Sequence, residues 1–552
     1  PPGGPMATPT LSSGARLLAA PGDQHRELLT PEALALLAAL HAAVTGRHAE
    51  LLAEPAGTAT AATATTADGP ARRASQRDPA WLVAPAPPGT ERRTVEVVAS
   101  PADPAASARA LSSGADVWVA DLDDATPDDW ASLLAGQRAL REAARLVRST
   151  PRPEPATGTG TPGGPTAAHR TTRWRGARSA AGPAGTARPH RLPPQPNPAG
   201  APRIVLRPRG WQAVERAVLL DGRPPAAPVV DVGLFLFHHL AARRTVAAPP
   251  PGLVLPRVGH RGEALRWHRL LLAAERLLGL EPGTVTVTVP IERVRAATEA
   301  EEILFVLRSR PAALAAAHHA YLADLVETVS AERPGTVLPE RDRLPVTAPF
   351  LRACTDLLVQ VGHRRGAHVI GSGTTATADA AAVGAARLVL EREAEDGFDG
   401  TRVADPALVP TARAAFAPVL RGRSHQLDRQ RPEVAVTAAE LLAVRRTAAP
   451  PGPEGVRAAR QLVAGYTAAR SEGRATVVIE GAVHDAASVA LAVAQLRQWS
   501  RHGPAGARGD RQPAAGVGAP PAVPGVSPSA PPEGPAAGAC GPPAGAGRRA
   551  PG

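Results

Sequence analysis

The chain has 552 residues, including 61 Pro, 52 Gly and two Cys, and carries a formal net charge of +12. This length is enough for roughly two to four domains, but Pro and Gly make up about a fifth of it, so we expect part of the chain to lie outside any packed core. The two cysteines, Cys354 and Cys540, exclude a disulfide framework, and no Cys/His spacing indicates a zinc site.

The distribution of the positive charge argues against a nucleic-acid-binding protein. Residues 151–200 hold seven Arg against one Glu, and residues 501–552 hold five Arg against two acids, whereas the rest of the chain is nearly neutral. A nucleic-acid platform needs a basic face with interleaved aromatic residues, and only Trp174 stands in such a context. We therefore expect no nucleic-acid partner.

The sequence also predicts no membrane segment. No apolar run reaches the length of a transmembrane helix, and the N-terminal residues lack the apolar segment of a secretory signal. These observations lead us to expect no membrane partner and a cytoplasmic location.

In chain order, the first predicted element is a helix over residues 31–53, where apolar residues recur at three- and four-residue spacing after Thr30 and Pro31. Between residues 110 and 410, short apolar runs alternate with helical runs, which is typical of a parallel sheet buried on both faces. This pattern fits a β/α barrel with a large insertion or a doubly wound sheet. The predicted strands are 94–100, 116–122, 203–208, 253–258, 284–291 and 367–371, and the predicted helices include 127–147, 262–279 and 293–308.

Three further stretches do not show this alternation. Residues 151–202 and 504–552 are of low complexity, and we predict that both are disordered and dispensable. Residues 411–503 show helical patterns without strand alternation, which predicts a separate helical domain.

Charged residues directly follow several predicted strands. In both candidate folds the chemistry takes place at the carboxyl ends of the strands. We therefore predict that these residues lie at one mouth of the sheet: Asp121, Asp123, Arg207, Arg209 and Glu292.

Each of these groups has a functional and an ordinary interpretation. The Arg207–Trp211 segment, Arg-Pro-Arg-Gly-Trp, suits recognition of a carboxylate or a thioester oxygen, but it could be a surface arginine pair. Glu292 suits Mg²⁺ binding or capping of the next helix. The three acids within Asp121–Asp124 repel one another unless a metal or an arginine neutralises them. His318 and His319 are either metal ligands or ordinary helix-end histidines.

Many blocks of the chain resemble malate synthase of the shorter, bacterial and plant type. They stand in the family's order and include residues 113–141, 205–211, 219–239, 291–308, 346–371, 391–410 and 485–503. The resemblance implies a TIM-type β/α barrel with an N-terminal helical clasp and a C-terminal helical plug. The implied boundaries are 1–95 for the clasp and its loop, 96–410 for the barrel with its insertion at 151–202, 411–503 for the plug and 504–552 for the tail.

The resemblance also implies a reaction. The family condenses acetyl-CoA with glyoxylate and hydrolyses the thioester to give malate and CoA, a step of the glyoxylate bypass, with Mg²⁺ as cofactor. Such chemistry needs a carboxylate base, a cation beside the enolate oxygen and a hard cation for glyoxylate. Carried over residue by residue, the base is Asp485, the cation is Arg207 and a magnesium ligand is Glu292. The resemblance further implies substrate contacts by Asp123, Arg209 and Trp211.

Several positions depart from the family's pattern. The second magnesium ligand of the family corresponds to Ala320, which has no ligand atom. Arg257 stands in place of a lysine, Arg402 in place of a tryptophan and His484 in place of a glutamate. Three interpretations therefore stay open: an active malate synthase, a catalytically impaired paralogue with a binding or regulatory role, and a related acyl-CoA/2-oxo acid synthase or lyase.

Overall fold

A computed structural model of the protein describes residues 14–19, 22, 26–52, 80–146, 201–243, 249–333 and 335–502. Nearly all of the predicted insertion at 151–202, and the whole predicted tail at 504–552, lie outside the described residues.

Eight parallel strands form the centre of the molecule. The strands of the described residues are, in chain order, β1 (Ala15–Leu17), β2 (Val95–Ala99), β3 (Val117–Asp121), β4 (Arg203–Arg207), β5 (Val218–Leu220), β6 (Gly252–Val254), β7 (Thr286–Ile291), β8 (Ala312–Ala316), β9 (His368–Ile370), β10 (Thr401–Val403), β11 (Val477–Ile479) and β12 (Ala482–His484). The order of the eight central strands in the sheet is β10-β2-β3-β4-β6-β7-β8-β9. A parallel bridge between Ile370 and Gly400 joins the two ends of this order, so the sheet closes into a barrel and the doubly wound alternative is wrong.

The six strands predicted from apolar runs are confirmed, each within a few residues of its predicted bounds. Two barrel strands were missed. Strand β8 reads AALAA, and alanine is the strongest helix former, but all five residues are buried in the barrel wall, so packing overrides propensity. Strand β10 has only three residues, which is too short for a period-two pattern.

Helices surround the barrel on its outer side, and the predicted helix at 293–308 is split at Glu299 into two. The helices are α1 (Pro31–Leu52), α2 (Pro104–Ser112), α3 (Trp130–Leu146), α4 (Ala227–Arg243), α5 (Arg261–Leu277), α6 (Val294–Thr298), α7 (Ala300–Leu307), α8 (His318–Glu332), α9 (Pro349–Arg364), α10 (Ala380–Asp396), α11 (Val409–Leu420), α12 (Ala438–Leu441), α13 (Pro453–Ser471) and α14 (Ala486–His502). Within the described ranges, no helix is both long and apolar enough to cross a bilayer.

The N-terminal helix α1 lies against the barrel helices α4 and α5. Gly233 of α4 allows this contact, because a Cβ at that position would clash with the side chain of Leu37. Strand β1 pairs with β5 outside the barrel, so the chain is fastened to the barrel both before and along α1.

The region predicted as purely helical, 411–503, differs from the prediction in two ways. Helix α11 spans the predicted boundary at 410 and packs against α10 and β2. Strands β11 and β12 form an antiparallel hairpin between α13 and α14. With three residues in each strand, the hairpin is too short to show an alternating pattern in the sequence.

This hairpin fixes the C-terminal region over one end of the barrel. The backbone N–H of Thr377 donates to the carbonyl of Gly481, and that of Val483 donates to the carbonyl of Thr375, so the hairpin is bonded to the loop after β9. Helix α14 packs along α8, where Gln498 Nε2 donates to Ser330 Oγ at 2.9 Å. Gln498 also accepts a hydrogen bond from the backbone N–H of Leu338, beyond the end of α8. The start of α14 is thereby held close to the carboxyl ends of the barrel strands.

A fully buried ion pair supports the opposite side of the barrel. Arg310 and Glu275 each expose 0% of the side chain, with 2.8 Å between Nη1 and Oε1. Glu275 also accepts hydrogen bonds from the backbone N–H groups of Gly283 and Val285.

We expect Glu275→Gln to lower the free energy of unfolding by about 3–5 kcal/mol, because it leaves the buried Arg310 without a counter-charge. Glu472→Gln, at an exposed ion pair with Arg474, is the matched control and should change stability by at most about 0.5 kcal/mol. Chemical denaturation of both variants measures the difference. Equal stability of the two would show that the buried pair is dispensable.

Candidate active site

A cavity of about 330 Å³ opens at the carboxyl end of the barrel strands, beneath the start of α14. Residues from distant parts of the chain line it. They include Asp121, Asp124, Arg207, Glu292, Ala320 and Asp485. The structure thus brings together the predicted base, the predicted cation and both positions predicted for the metal ligands.

Arg207, the last residue of β4, lies at the centre of the charged side of the cavity. Its Nη1 donates to Asp121 at 3.0 Å, and its Nη2 lies 2.6 Å from Asp124 and 3.0 Å from Glu292. Nη2 also reaches Asp123 at 3.3 Å. Burial alone lowers the pKa of Arg207, but the surrounding carboxylates raise it well above the ordinary value, so the side chain stays cationic. The third nitrogen, Nε, is buried and has no acceptor among the described residues.

Arg257 supplies a second positive charge. Its Nε donates to Asp123 at 3.1 Å and its Nη2 donates to Asp124 at 3.0 Å. The backbone of Arg257 is in the left-handed region, with φ of 58°, which is uncommon for a residue with a side chain. In this conformation its N–H donates to Glu292 Oε2 at 2.8 Å, so backbone and side chain both bind the acidic cluster. The neutralisation expected for the Asp121–Asp124 segment is therefore provided by arginines.

The carboxyl groups of the cluster respond differently to burial. Burial raises the pKa of Asp123 to about 6, although Arg257 opposes it, and burial also raises the pKa of Asp121 and of Glu292. For Asp124 the arginines Arg207 and Arg257 outweigh burial, so its pKa lies below the ordinary value. Among these four carboxyl groups, Asp124 is thus the one whose anionic form the arginines favour most clearly.

Asp485 stands at the N-terminus of α14, directly after the hairpin. Its Oδ1 accepts hydrogen bonds from the backbone N–H and the hydroxyl of Ser488, at 3.0 and 2.8 Å, which caps the helix. Its Oδ2 makes no hydrogen bond within the described part of the chain and is left for the cavity. Burial and the nearby Asp124 raise the pKa of Asp485, whereas Ser488 and Arg207 act in the opposite direction. The side chain therefore combines a capping role with one uncommitted basic oxygen.

The first turn of α8 forms another part of the wall. His318, His319 and Ala320 all line the cavity, and the N–H of His318 donates to Ser372 Oγ at 3.1 Å. Burial lowers the pKa of His318 to about 4 and that of His319 to about 3, so both rings are neutral at neutral pH. Asp324, one turn further on, instead accepts a hydrogen bond from Val294 N–H at 2.9 Å. It cannot replace a carboxylate at position 320 from there.

A buried glutamate holds the turn after β9. Glu393 accepts hydrogen bonds from Thr401 Oγ1 at 2.6 Å and from the N–H of Gly373 at 2.9 Å. Burial raises its pKa to about 7. A Cβ on Gly373, whose φ is 74°, would collide with the backbone of Arg402, so this turn requires glycine. The turn is thereby fixed where Ser372 and Gly373 line the cavity.

The three residues predicted to contact substrate do not line the cavity. Arg209 is bound by Asp231, Glu215 and Asp128, and it does not line the cavity. Trp211 packs edge-on against Trp267, with ring centres 5.3 Å apart. Asp123 lies behind Arg207 and Arg257 and also accepts a hydrogen bond from the N–H of Gly210 at 3.2 Å. Substrate contact by these residues remains a prediction that this geometry does not support.

The sequence did not identify two cationic residues of the cavity. Arg402, in β10, donates from Nε to Glu96 at 3.2 Å, while its buried Nη2 has no acceptor among the described residues. Arg341 lies between the barrel and the hairpin, 3.5 Å from His484 Nδ1. Arg402 lies within a strand too short to recognise, and Arg341 precedes α9 by several residues, so neither stands at a predicted strand end.

The donor atoms of this cavity do not fit Mg²⁺ as they are arranged. Magnesium requires octahedral oxygen coordination, with one or two protein carboxylates as a usual minimum. Both oxygens of Glu292 already accept hydrogen bonds from Arg207 and Arg257, and Ala320 offers only a methyl group. Across the described ranges, no group of three or more His, Cys, Asp or Glu side chains could hold a metal ion.

The comparisons of sequence with known proteins indicate one family. The family profile described as "Malate synthase, TIM barrel domain" matches residues 203–444. The chain is 38% identical to the malate synthase of Streptomyces clavuligerus over 495 residues, which cover 88% of this chain and 85% of that protein. It is 33% identical to the malate synthase of Oryza sativa subsp. japonica over 449 residues, or 79% of this chain and 72% of that one.

A remote match to a solved structure names the same family. The Haloferax volcanii malate synthase, in a pyruvate/acetyl-CoA ternary complex, is 13% identical with a TM-score of 0.44, over 74% of this chain and 91% of that one. We draw no residue correspondence from so distant a match. The relatives at 38% and 33% identity carry the enzyme's name, which favours the active-enzyme interpretation over the impaired paralogue.

Proposed function

The chain belongs to the malate synthase family, and we propose that it condenses acetyl-CoA with glyoxylate and releases malate and CoA. The observation that carries this proposal is the meeting of Asp485 and Arg207 at one cavity. A carboxylate with an uncommitted oxygen faces a permanent cation there. This is the pair of groups that enolisation beside a thioester demands.

The proposed reaction has three steps. Asp485 Oδ2 takes a proton from the methyl group of acetyl-CoA, and the thioester oxygen that becomes negative accepts a hydrogen bond from Arg207 Nε. The enolate carbon then forms a bond to the aldehyde carbon of glyoxylate, whose oxygen takes up a proton. Water finally cleaves the thioester of the resulting malyl-CoA to give malate and free CoA. Asp485 and Arg207 are the proposed catalytic residues.

We further propose the domain roles implied by the resemblance. The C-terminal region, residues 411–503, acts as a plug over the barrel mouth, which is supported by the hydrogen bonds between its hairpin and the loop after β9. The segment up to residue 95 acts as a clasp on the barrel helices. Closure by the plug keeps the enolate away from bulk water.

The direct test is an assay of CoA release from acetyl-CoA with and without glyoxylate, in the presence and absence of Mg²⁺, with malate identified in the product. We expect CoA release that depends on glyoxylate. If another 2-oxo acid supports turnover and glyoxylate does not, the chain is a related synthase. If acetyl-CoA binds without any turnover, the impaired paralogue is the correct interpretation.

For the metal, we propose weak Mg²⁺ binding that Ala320→Asp tightens. The described lining of the cavity holds four carboxyl groups and three arginines, so it keeps a weak attraction for cations, but Glu292 is engaged and position 320 supplies no oxygen. An added carboxylate should lower the Kd for Mg²⁺ by about tenfold or more and raise malate formation, because Mg²⁺ affinity follows the number of charged ligands.

The matched control is Ala331→Asp, at an exposed position in the last turn of the same helix. Calorimetric titration with Mg²⁺ compares the three proteins. Tight binding by the parent chain, unchanged by Ala320→Asp, would show that residue 320 is not the ligand position.

A further inference from the structure

A second cavity, of about 250 Å³, lies at the opposite end of the barrel from the candidate active site. Four of its lining residues are the first residues of barrel strands: Arg203 of β4, Thr286 of β7, Ala312 of β8 and His368 of β9. The segment from Ala84 to Pro87 covers its outer side. It is therefore separated from the catalytic cavity by the length of the barrel.

The charged groups of this cavity are mostly basic. Arg93, Arg203, His368 and His425 line it, and Glu91 is the one acidic side chain among the described lining residues. Glu91 is partly exposed, and its carboxylate already accepts a hydrogen bond from the N–H of Gly89 at 2.7 Å. Two arginines thus stand against one acid among the described lining residues, although Arg93 is also paired with the buried Glu96.

Both arginines are held in place. Each is 7% exposed. Arg93 donates from Nη2 to Glu96 and, at 2.8 Å, to Thr288 Oγ1, while Arg203 Nη2 donates to Thr286 Oγ1. A Cβ on Gly252 would lie 2.5 Å from Arg203 Nη2, so the glycine provides the space for this guanidinium. Guanidinium groups fixed in this way lose little entropy when they bind an anion.

His368 provides the observation that points to a ligand. Its side chain is 7% exposed and lies at the cavity wall, 5.3 Å from the ring of His425. Within the described residues, no hydrogen bond joins its ring nitrogens to the protein. Burial lowers its pKa to about 4, with Arg93 adding to the effect, so the ring is neutral at neutral pH and carries one N–H. The ring N–H lies at the cavity without an acceptor from the described residues, so an anion bound there can accept its hydrogen bond.

We propose that this cavity is a second binding site, which takes a phosphate group between Arg93, Arg203 and His368. Guanidinium groups recognise phosphate through several charge-assisted hydrogen bonds, and a neutral imidazole adds one more donor. The volume is several times the ~30 Å³ that a water molecule occupies, so the site has room for phosphate alone or on a small organic molecule. The site is independent of the proposed catalytic activity.

Calorimetric titration of the full chain with inorganic phosphate tests the proposal, with acetyl-CoA present at saturation to fill the catalytic cavity. We expect binding that persists under these conditions and weakens at least about tenfold in Arg203→Gln and in His368→Gln, because each removes a donor to the anion. Arg92→Gln is the matched control, since Arg92 is exposed and does not line the cavity. A parallel titration with glycerol phosphate separates free phosphate from a phosphorylated small molecule.

Hydrogen exchange on the unmodified chain gives a readout that does not depend on whether the variants fold. Phosphate should protect backbone amides of residues 84–90 and 366–370 and leave the barrel mouth unchanged. The proposal is overturned if millimolar phosphate does not bind, if acetyl-CoA abolishes the binding, or if the protection appears only at the mouth.

Discussion

Asp485→Asn is expected to lower the rate of malate formation at least ~10²-fold, the contribution typical of a positioned general base. Asparagine keeps the shape of the side chain, and its oxygen can still accept the hydrogen bonds that Ser488 donates to Oδ1. The substitution therefore removes the basic carboxylate while the helix cap remains. Steady-state kinetics of the purified variant measures the loss, and exchange of the acetyl-CoA methyl protons in D₂O measures enolisation directly.

Asp103→Asn is the matched control. Asp103 caps α2 by accepting hydrogen bonds from the backbone N–H groups of Ala105 and Ala106, outside the cavity. The same chemical change there should leave the rate within about twofold, because exposed caps affect stability alone. If Asp485→Asn enolises acetyl-CoA at the parent rate, Asp485 is only a helix cap and the base lies elsewhere.

The pH dependence provides a second check on Asp485. Asp485 can take up a proton only as the carboxylate, so kcat/KM falls as the pH drops through the pKa of Asp485 in the folded protein. Burial and Asp124 raise that pKa, which places the acid limb of the profile above the usual range of an aspartate. An acid limb at or below the ordinary aspartate value would contradict the assignment.

The barrel was predictable from the sequence because most of its strands are continuous runs of branched apolar residues. The strands that the sequence did not predict were missed for definite physical reasons. An alanine strand such as β8 is decided by burial on both faces, which a local pattern does not contain. The hairpin of β11 and β12 could not be predicted from its own segment, because it is held by hydrogen bonds to the loop after β9, which lies about 100 residues away in the sequence.

The residues of the candidate site likewise divide into those that a local sequence pattern predicts and those that it does not. Glu292 and Arg207 could be found because each lies at or directly after the end of a predicted strand. Asp485 could be found only through the family resemblance, because nothing in its own segment separates a catalytic carboxylate from an N-cap. The role of Arg257 depends on a left-handed backbone conformation that turns both its N–H and its side chain to the acidic cluster. No local pattern predicts such a contact.

Arg207→Gln is expected to lower the rate by ~10³-fold or more. Loss of one preorganised donor to a developing oxyanion typically costs ~10²–10³-fold, and here a full charge is lost as well. Asp124 and Glu292 would then keep Arg257 as a neighbouring cation, whereas Asp121 would lose its ion pair with Arg207. Arg207→Lys keeps the charge but not the fork of donors, so we expect an intermediate rate.

The control for a merely structural effect is Arg310→Gln, which breaks the buried pair with Glu275 far from the cavity. It should destabilise the fold by about 3–5 kcal/mol but leave kcat per folded molecule nearly unchanged. Chemical denaturation gives the folded fraction of each variant, and kcat is then compared on that basis. Equal kcat losses in the two variants would show that Arg207 serves the fold and not the reaction.

The pH profile of Arg207→Lys and Arg207→Gln separates these roles further. Arg207 opposes the rise in the pKa of Asp485, so removal of its charge raises that pKa and moves the acid limb of kcat/KM to higher pH. Lysine retains the charge and should leave the limb near its original position. Since a structural defect changes the amplitude of the profile but not its midpoint, an unmoved limb in Arg207→Gln would show that the guanidinium and the base do not share one site.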